Sequence, residues 1–491
     1  MERAHRLISI SCSRKNIWIS RSENMKYFVR TFGCQMNYSD SERISSVLEY
    51  LDFTPATSQK DADLLIFNTC SVRQKSEDRV FGLRKTLAAL KKKNKNLKIA
   101  ITGCMVRKTS TRAAAQNKKI DPVLHIMPEI DIAFKIDNLL LLPDLLGQKN
   151  TLAHTPEDNN YFRINPKKET MFSVFVPIMT GCDKFCTYCI VPYARGREKS
   201  RDFDEVIAEC KKHVEEGALE ITLVGQTVNS YGLSFIDKQS KKFECFGESP
   251  FAALLTEVDK LSALGLKRLK FTSPHPRDFN ETLIKTLPKL KTLCPHIHMP
   301  VQSGDNDVLR RMNRNYTVDE YKKIMQGIKK AIPNIAMSTD IIVGFCGETD
   351  KEFENTLRMY KDMEWDMCYL AQYSPRKGTY SYANLKNDVP AKTKLARWHR
   401  LNELLTKTAC KKHKPFLGKT VEVLVSSQKR KTCTGRTPEE KEIHFESAKN
   451  LVGKIVSVKV TKVSNFYLTG ELIGQNSNRK HRNHLFPIGP L

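Results

Sequence analysis

The chain has 491 residues, 40% of them hydrophobic and 27% charged, which describes an ordinary globular protein with room for about three domains. No apolar run approaches the roughly 20 residues needed to cross a bilayer, so a membrane-spanning helix is excluded. Lys and Arg outnumber Asp and Glu by 81 to 54, a formal charge of +27, and an excess of that size favours a polyanionic partner through phosphate contacts and counterion release.

Residues 1–24 are poor in acids and carry Arg3, Arg6, Arg14, Lys15 and Arg21 among serines. They weakly resemble an organelle transit peptide, and a disordered extension or an upstream start explains them equally well. Patterned sequence begins at Met25. The block 25–146 alternates a strand at 26–31, a helix at 41–51, a strand at 63–68, a helix at 75–90 and a strand at 98–102. Such alternation implies a doubly wound parallel α/β sheet. Cys34, Cys70 and Cys104 each fall immediately after one of these strands, two of them preceded by glycine. Ligands of open parallel sheets bind at the carboxyl ends of the strands, so three thiols distant in sequence converge on one rim. Any one of them alone reads as a buried apolar cysteine; together they suggest a metal cluster with an open vertex.

Residues 147–167 are polar and read as a linker. The block 168–411 follows, with strands at 173–179, 220–224, 268–272, 296–301, 336–343 and 367–372, and helices at 204–216, 251–263, 278–287, 318–331 and 351–363. Six β/α steps make a partial TIM barrel, (β/α)6, whose site lies at the carboxyl ends of the strands. Cys182, Cys186 and Cys189 open the loop after the first strand in a C-x-x-x-C-x-x-C spacing. A cubane 4Fe-4S cluster takes one thiolate per iron, so this triad holds three irons and leaves the fourth open. Structural zinc is the competitor; it wants a fourth Cys or His, and the nearest downstream histidine, His213, falls in an expected helix. Gln226, Asn229, Ser273, His275, Gln302, Ser303, Gly344 and Glu348 sit at later strand ends, where they line the same mouth. Each taken singly reads equally well as a loop hydrogen-bonder.

From 413 the pattern changes to short strands at 419–425, 432–436, 442–446, 454–463 and 467–472, an OB-like β-barrel of the kind that binds RNA. Residues 413–491 carry fourteen Lys and Arg against six Glu, a balance of +8. Arg436, His444, Phe445 and Phe466 are candidates for phosphate and base contacts, the aromatics reading equally as core. Residues 477–491, with Arg479-Lys480-His481-Arg482, read as a basic tail. Cys12, Cys210, Cys245, Cys294, Cys346, Cys368, Cys410 and Cys433 show no metal spacing, and without a secretory signal the chain's fourteen cysteines read as reduced thiols in a cytoplasmic setting, not a disulfide framework.

Several stretches together resemble the radical S-adenosylmethionine (SAM) methylthiotransferases, most closely the tRNA-modifying MiaB type. They are Thr31-Phe32-Gly33-Cys34-Gln35-Met36-Asn37, Asn68-Thr69-Cys70-Ser71-Val72-Arg73, Gly103-Cys104-Met105, the triad with Ile190-Val191-Pro192-Tyr193-Ala194-Arg195-Gly196-Arg197-Glu198, Leu223-Val224-Gly225-Gln226, Pro300-Val301-Gln302-Ser303-Gly304 and Tyr373-Ser374-Pro375-Arg376. The resemblance implies two 4Fe-4S clusters. Cys182, Cys186 and Cys189 would hold the radical cluster with SAM on its open iron, and Cys34, Cys70 and Cys104 the auxiliary one. Tyr188, Gln226, Asn229, Gln302, Ser303 and Gly344 become candidates for contact with SAM or substrate, and the C-terminal barrel becomes a TRAM domain gripping tRNA. It also implies the reaction: a methylthio group replaces the C2 hydrogen of an N6-isopentenyladenosine at tRNA position 37, beside the anticodon, using two molecules of SAM, one as methyl donor and one as radical source. An electron donor such as a flavodoxin or ferredoxin is expected, with the enzyme a monomer. Rival readings are a threonylcarbamoyl adenosine or ribosomal-protein aspartate substrate, or a non-catalytic iron-sulfur RNA-binding protein. Two positions depart from the family pattern: Val106-Arg107 stands where Ala-Gln is usual, and Cys346 where proline is.

Overall fold

The computed structural model describes residues 25–71, 74–113, 120–148, 161–168 and 170–474. The N-terminal extension, the basic tail and Cys12 lie outside the described residues. The chain forms two compact units that meet between Leu405 and Thr406, inside the helix Ala391–His413.

The first unit opens with a six-stranded sheet. The strands Lys26–Phe32, Leu64–Thr69 and Lys98–Gly103 lie side by side and parallel, flanked by the short strands Thr54–Pro55 and Ile132–Ala133, with Ser110–Thr111 antiparallel at the far edge. Leu64–Thr69 is buried along its whole length because both faces are covered, as a continuous apolar run in a parallel sheet requires. Leu64 and Ile66 face the core under the helix Gln35–Tyr50, and Leu65 and Phe67 face the opposite core around Val80, Leu87 and Leu124. The first helix starts well before the expected 41, because Asn37 accepts the Cys34 N–H at 3.2 Å and caps the turn. The helix expected at 75–90 divides into Gln74–Phe81 and Arg84–Lys93, broken at Gly82, a poor helix former.

Six parallel strands follow in barrel order. Ser173–Pro177, Glu220–Val224 and Arg268–Phe271 form one run; His296–His298, Ala336–Val343 and Met367–Gln372 form the next. A bridge from Leu269 to Leu293 joins them. The helices between them are capped by their own sequence: Thr317 with Glu320 and Thr349 with Glu352 form reciprocal capping boxes, and Asn280 starts the short helix Glu281–Thr286 later than the expected 278.

The sheet and the barrel share a core. Val224 and Phe175 pack with Tyr27, Ile44 and Leu48, and so do Tyr161, Phe162 and Ile164. These last three come from the stretch expected as linker; their apolar side chains, embedded in polar neighbours, are buried against the first helix instead. A buried ionic cluster adds to this junction: Glu209, from the helix Phe203–Glu215, takes Arg43 at 3.1 Å and Arg201 at 2.7 Å.

The second unit contains a closed barrel of Thr420–Lys429, Thr432–Arg436, Glu442–Glu446, Leu468–Leu472 and Ile455–Val463, in that order around the wall. Phe445, offered above as a base contact, points inward with Val423, Val425 and Val458 and is 2% exposed. Strand alternation decides this, since its neighbour His444 faces out. Phe466 and Tyr467 are exposed, and Tyr467 packs edge-on against His444 at 5.1 Å. Arg436 pairs with Glu442 at 3.2 Å.

Candidate active site

Cys34, Cys70 and Cys104 stand at the carboxyl ends of three adjacent parallel strands. Cys104 N–H donates to Thr69 O at 2.8 Å and Cys70 N–H to Phe32 O at 2.7 Å, so the three turns are stitched to one another. Gly103 makes this approach possible: with φ +88, a Cβ there would stand 2.2 Å from Thr69 O. Behind the trio two buried amides lock together, Asn37 Nδ2 donating to Asn68 Oδ1 at 2.9 Å and Asn68 Nδ2 to Asn37 O at 2.7 Å. The Cys34 thiol is pushed up by desolvation and by neighbouring Cys104. Cys104 goes the other way, to about 5, because the Cys70 thiol donates to it and Arg195 lies alongside. Arg107, one of the two departures, folds back so that its guanidinium donates to Cys104 O, while Asp121 Oδ2 accepts its N–H at 2.6 Å. It therefore braces the third turn.

The second trio occupies the loop after the first barrel strand. Gly181, at φ +76, lies against Arg197 O, where a Cβ would stand at 2.0 Å. Asn313 Nδ2 donates to Lys184 O at 3.2 Å and Phe185 O at 3.0 Å, and Thr187 N–H to Met312 O at 3.0 Å, which pins the loop to the 311–314 turn. From that turn buried Arg314 donates to Cys186 Sγ at 3.5 Å. Burial raises the Cys182 thiol to about 12 and raises that of Cys189 further, the latter also feeling Cys186, Cys182 and Cys104.

The donor chemistry can be tested against the two candidate metals. Each trio offers three soft thiol donors, a set that a four-iron cluster takes one to a corner with the fourth iron left open. Structural zinc wants a fourth Cys or His beside them.

The polar residues of the mouth divide into two groups. Asn229 and His275 spend themselves on each other: Asn229 Nδ2 donates to His275 O at 2.8 Å and its Oδ1 accepts the His275 N–H at 2.7 Å, tying the second strand end to the third. Ser303 is fully buried and turned to Thr356 Oγ1 at 3.3 Å. Glu348 accepts the Gly344 N–H at 2.6 Å and pairs with Arg397 at 2.7 Å, which shapes the glycine turn. These side chains build the rim. Others remain open: Gln226 Oε1 and His275 Nε2 are buried with no protein partner. Burial and nearby Arg314 keep His275 neutral, and its Nδ1 accepts from Arg277 N–H at 3.3 Å, so Nε2 carries a proton with nowhere to donate. Tyr188 packs edge-on against Phe345 beside Gly344, and Cys346, the second departure, fills the same small core. Ser273 and Gln302 hold left-handed φ values of +57 and +74, as does Phe185 at +47, so backbone strain gathers in the mouth loops.

Sequence reasoning assigned no role to Arg195, Asp40 or Arg314. Arg195 is 4% exposed, bonds Asp40 at 2.5 Å and links the barrel to the sheet; Asp40 in turn accepts from Tyr161 at 2.6 Å. Its position within six residues of Cys189 was the one available signal.

Three family models match in succession: Uncharacterized protein family UPF0004 over residues 26–125, the Radical SAM superfamily over 176–360 and the TRAM domain over 414–473. The chain is thus a radical SAM protein with a C-terminal TRAM domain. The tRNA-2-methylthio-N(6)-dimethylallyladenosine synthase of Clostridium novyi is 40% identical, over 94% of this chain and 98% of that protein. That of Bacillus licheniformis is 38% identical, over 92% and 87%. The chain belongs to this family of synthases. Among solved structures, the cobalamin-dependent SAM radical enzyme OxsB aligns at a TM-score of 0.45 with 10% identity, over 78% of this chain and 61% of that one.

Proposed function

We propose that the protein methylthiolates C2 of N6-isopentenyladenosine at tRNA position 37, with Cys182, Cys186 and Cys189 holding the radical 4Fe-4S cluster and Cys34, Cys70 and Cys104 the auxiliary one. The observation that carries the reading is the placement of the first trio at the carboxyl ends of the sheet strands and of the second in the loop after the first barrel strand, with Arg195, six residues past Cys189, bonded at 2.5 Å to Asp40 in the helix that starts beside Cys34. Removing hydrogen from an aromatic carbon is beyond side-chain general bases. The clusters and SAM, when bound, supply the radical and sulfur chemistry.

The chain's own residues supply orientation and exclusion. The unpartnered Gln226 Oε1 accepts and His275 Nε2 donates, a complementary pair for the polar groups of a SAM molecule seated in the mouth. Arg314, buried and positively charged, sets its Nη1 3.5 Å from Cys186 Sγ and holds that part of the loop in place. The Asn37 and Asn68 amides keep the first trio's turns in register. In the second unit, His444, Phe466 and Tyr467 offer ring faces to a single-stranded loop, and the basic balance of that region favours phosphate. An anticodon-loop base is already unpaired, so bringing it to the mouth costs only a few kcal/mol. A flavodoxin- or ferredoxin-type donor supplies electrons, and the protein acts as a monomer. Among the described residues no helix is long and apolar enough to cross a membrane.

Anaerobic reconstitution followed by iron and sulfide analysis tests the assignment, with about eight irons expected per chain. Cys186→Ala is expected to abolish SAM cleavage. Cys70→Ala is expected to keep cleavage and lose the methylthio product. Full product from either variant overturns the assignment.

A further inference from the structure

In the second half of the barrel, Ile297, Met337, Thr339, Ile341 and Cys368 are at most 3% exposed. They lie on the face covered by helices such as Val318–Ala331, whose Tyr321 hydroxyl donates to Met299 O at 2.8 Å. Strand alternation turns the residues between them toward the lumen. There His298, Asp340 and Tyr369 stay 22%, 33% and 44% exposed. His296 Nε2 and His298 Nδ1 each lie 3.0 Å from Ser338 Oγ, and one hydroxyl proton serves only one ring, so the other ring donates to the oxygen. With His296 donating to Ser338 and Ser338 to His298 Nδ1, the His298 Nε2–H is left for Asp340 Oδ2, 3.5 Å away. No other donor among the described residues reaches that carboxylate. The Tyr369 ring meets the His298 ring edge-on, with centroids 5.6 Å apart. Asp340 O accepts the Gln302 N–H at 2.8 Å, so the group lies next to the mouth loop. The strand Met367–Gln372 pairs on one side only, which leaves the barrel unclosed beside Tyr369.

A carboxylate with a free acceptor oxygen beside an open aromatic ring suits a flat heterocycle that offers a single N–H. The base of N6-isopentenyladenosine has one, at N6, and its free ring nitrogens are acceptors. We propose that Asp340 and Tyr369 form the purine subsite for the target base, Asp340 accepting the N6–H and Tyr369 stacking on the ring. The inference rests on the function proposed above and names the residues that hold the base. Pinning N6 fixes the rotation of the base in its own plane, and with it the direction in which C2 faces. The adenine of SAM offers the same amino edge, so the test separates the two sources.

The reconstituted holoenzyme is assayed with two anticodon stem-loop hairpins. One carries N6-isopentenyladenosine; the other carries O6-isopentenylinosine, which has an ether oxygen in place of the N6–H. The parent enzyme is expected to favour the first by at least about tenfold in kcat/KM, the loss that follows when a charged acceptor is left without its donor. Asp340→Ala is expected to process the two hairpins within about twofold of each other, and its affinity for SAM, measured by equilibrium dialysis without RNA, to stay within about twofold of the parent's. Tyr369→Ala is expected to raise the hairpin KM about tenfold, and Tyr369→Phe, which keeps the ring, to restore it. An undiminished preference in Asp340→Ala, or no preference in the parent, overturns the proposal. So does weakened SAM affinity with the hairpin preference intact, which gives the subsite to the adenine of SAM. Loss of the irons from Asp340→Ala and Asp340→Asn alike makes Asp340 a support of the fold and also overturns it. If the parent makes no methylthio product from the first hairpin, the function proposed above has failed and the subsite falls with it.

Discussion

Replacing Glu209 by Gln should be among the most damaging single changes outside the cysteines. Glu209 is 12% exposed and lies between Arg43, 0% exposed, and Arg201, 4% exposed, at 3.1 and 2.7 Å. The neutral variant leaves two guanidinium groups facing each other with little water to screen them, and breaking a buried pair in this way costs about 3–5 kcal/mol. The effect has a pH signature. Arg201 and Arg43 hold the Glu209 carboxyl well below its usual 4.5 against the opposing effect of burial. A depressed carboxyl contributes stability that is fully present above about pH 4.5 and is lost as pH falls towards the native value. The wild type should therefore lose stability on acidification below that point, and the Gln variant should lack this part of the slope. Denaturant unfolding of the apoprotein at pH 7 and across the acid range measures both. A loss under about 1 kcal/mol at pH 7, or an unchanged acid slope, would refute the reasoning. Because Arg43 belongs to the helix that begins beside Cys34, the variant should also lose methylthio product more steeply than SAM cleavage.

Glu198 titrates in the opposite sense. Burial raises it to about 7 despite hydrogen bonds from Ser230 and Thr227, so the folded state gains a proton that the unfolded chain releases near 4.5. Its contribution to stability is full below about pH 4.5 and declines as pH rises to about 7, by about 3 kcal/mol from a shift of this size. Glu198→Gln should flatten that decline, which chemical unfolding between pH 4 and 8 will show; an identical pH profile for the variant would count against it. In the second unit, Tyr467→Ala should weaken tRNA affinity by about 1–3 kcal/mol if the ring stacks on a base. Filter binding at fixed salt checks this, and unaltered affinity would assign Tyr467 to the His444 contact alone.

The arrangement of the two cysteine groups was legible in the chain itself. The spacing of Cys182, Cys186 and Cys189 is local, and Cys34, Cys70 and Cys104 each follow a strand whose apolar run is unmistakable; parallel sheets then force such positions onto one rim. The alternation of the C-terminal strands likewise foretold a small barrel, and in Glu442-Ile443-His444-Phe445-Glu446 it already set Phe445 on the apolar face with Ile443. Sequence could not say that Asn229 would be consumed by the His275 backbone, or that Ser303 would turn to Thr356, since a polar residue at a strand end serves a neighbour or a ligand equally well. Nor could it say that Tyr161 and Ile164 leave a polar stretch to complete a core shared by the sheet and the barrel.

Local pattern thus determined which elements form and which thiols follow strand ends, because hydrogen-bond period and hydrophobic period are properties of a few consecutive residues. Tertiary structure alone decided the relation between the two trios. Arg195 stands 155 residues from Asp40 and Arg43 stands 166 from Glu209, and only the packing of barrel on sheet brings these charges into the low-dielectric space where their pairing counts.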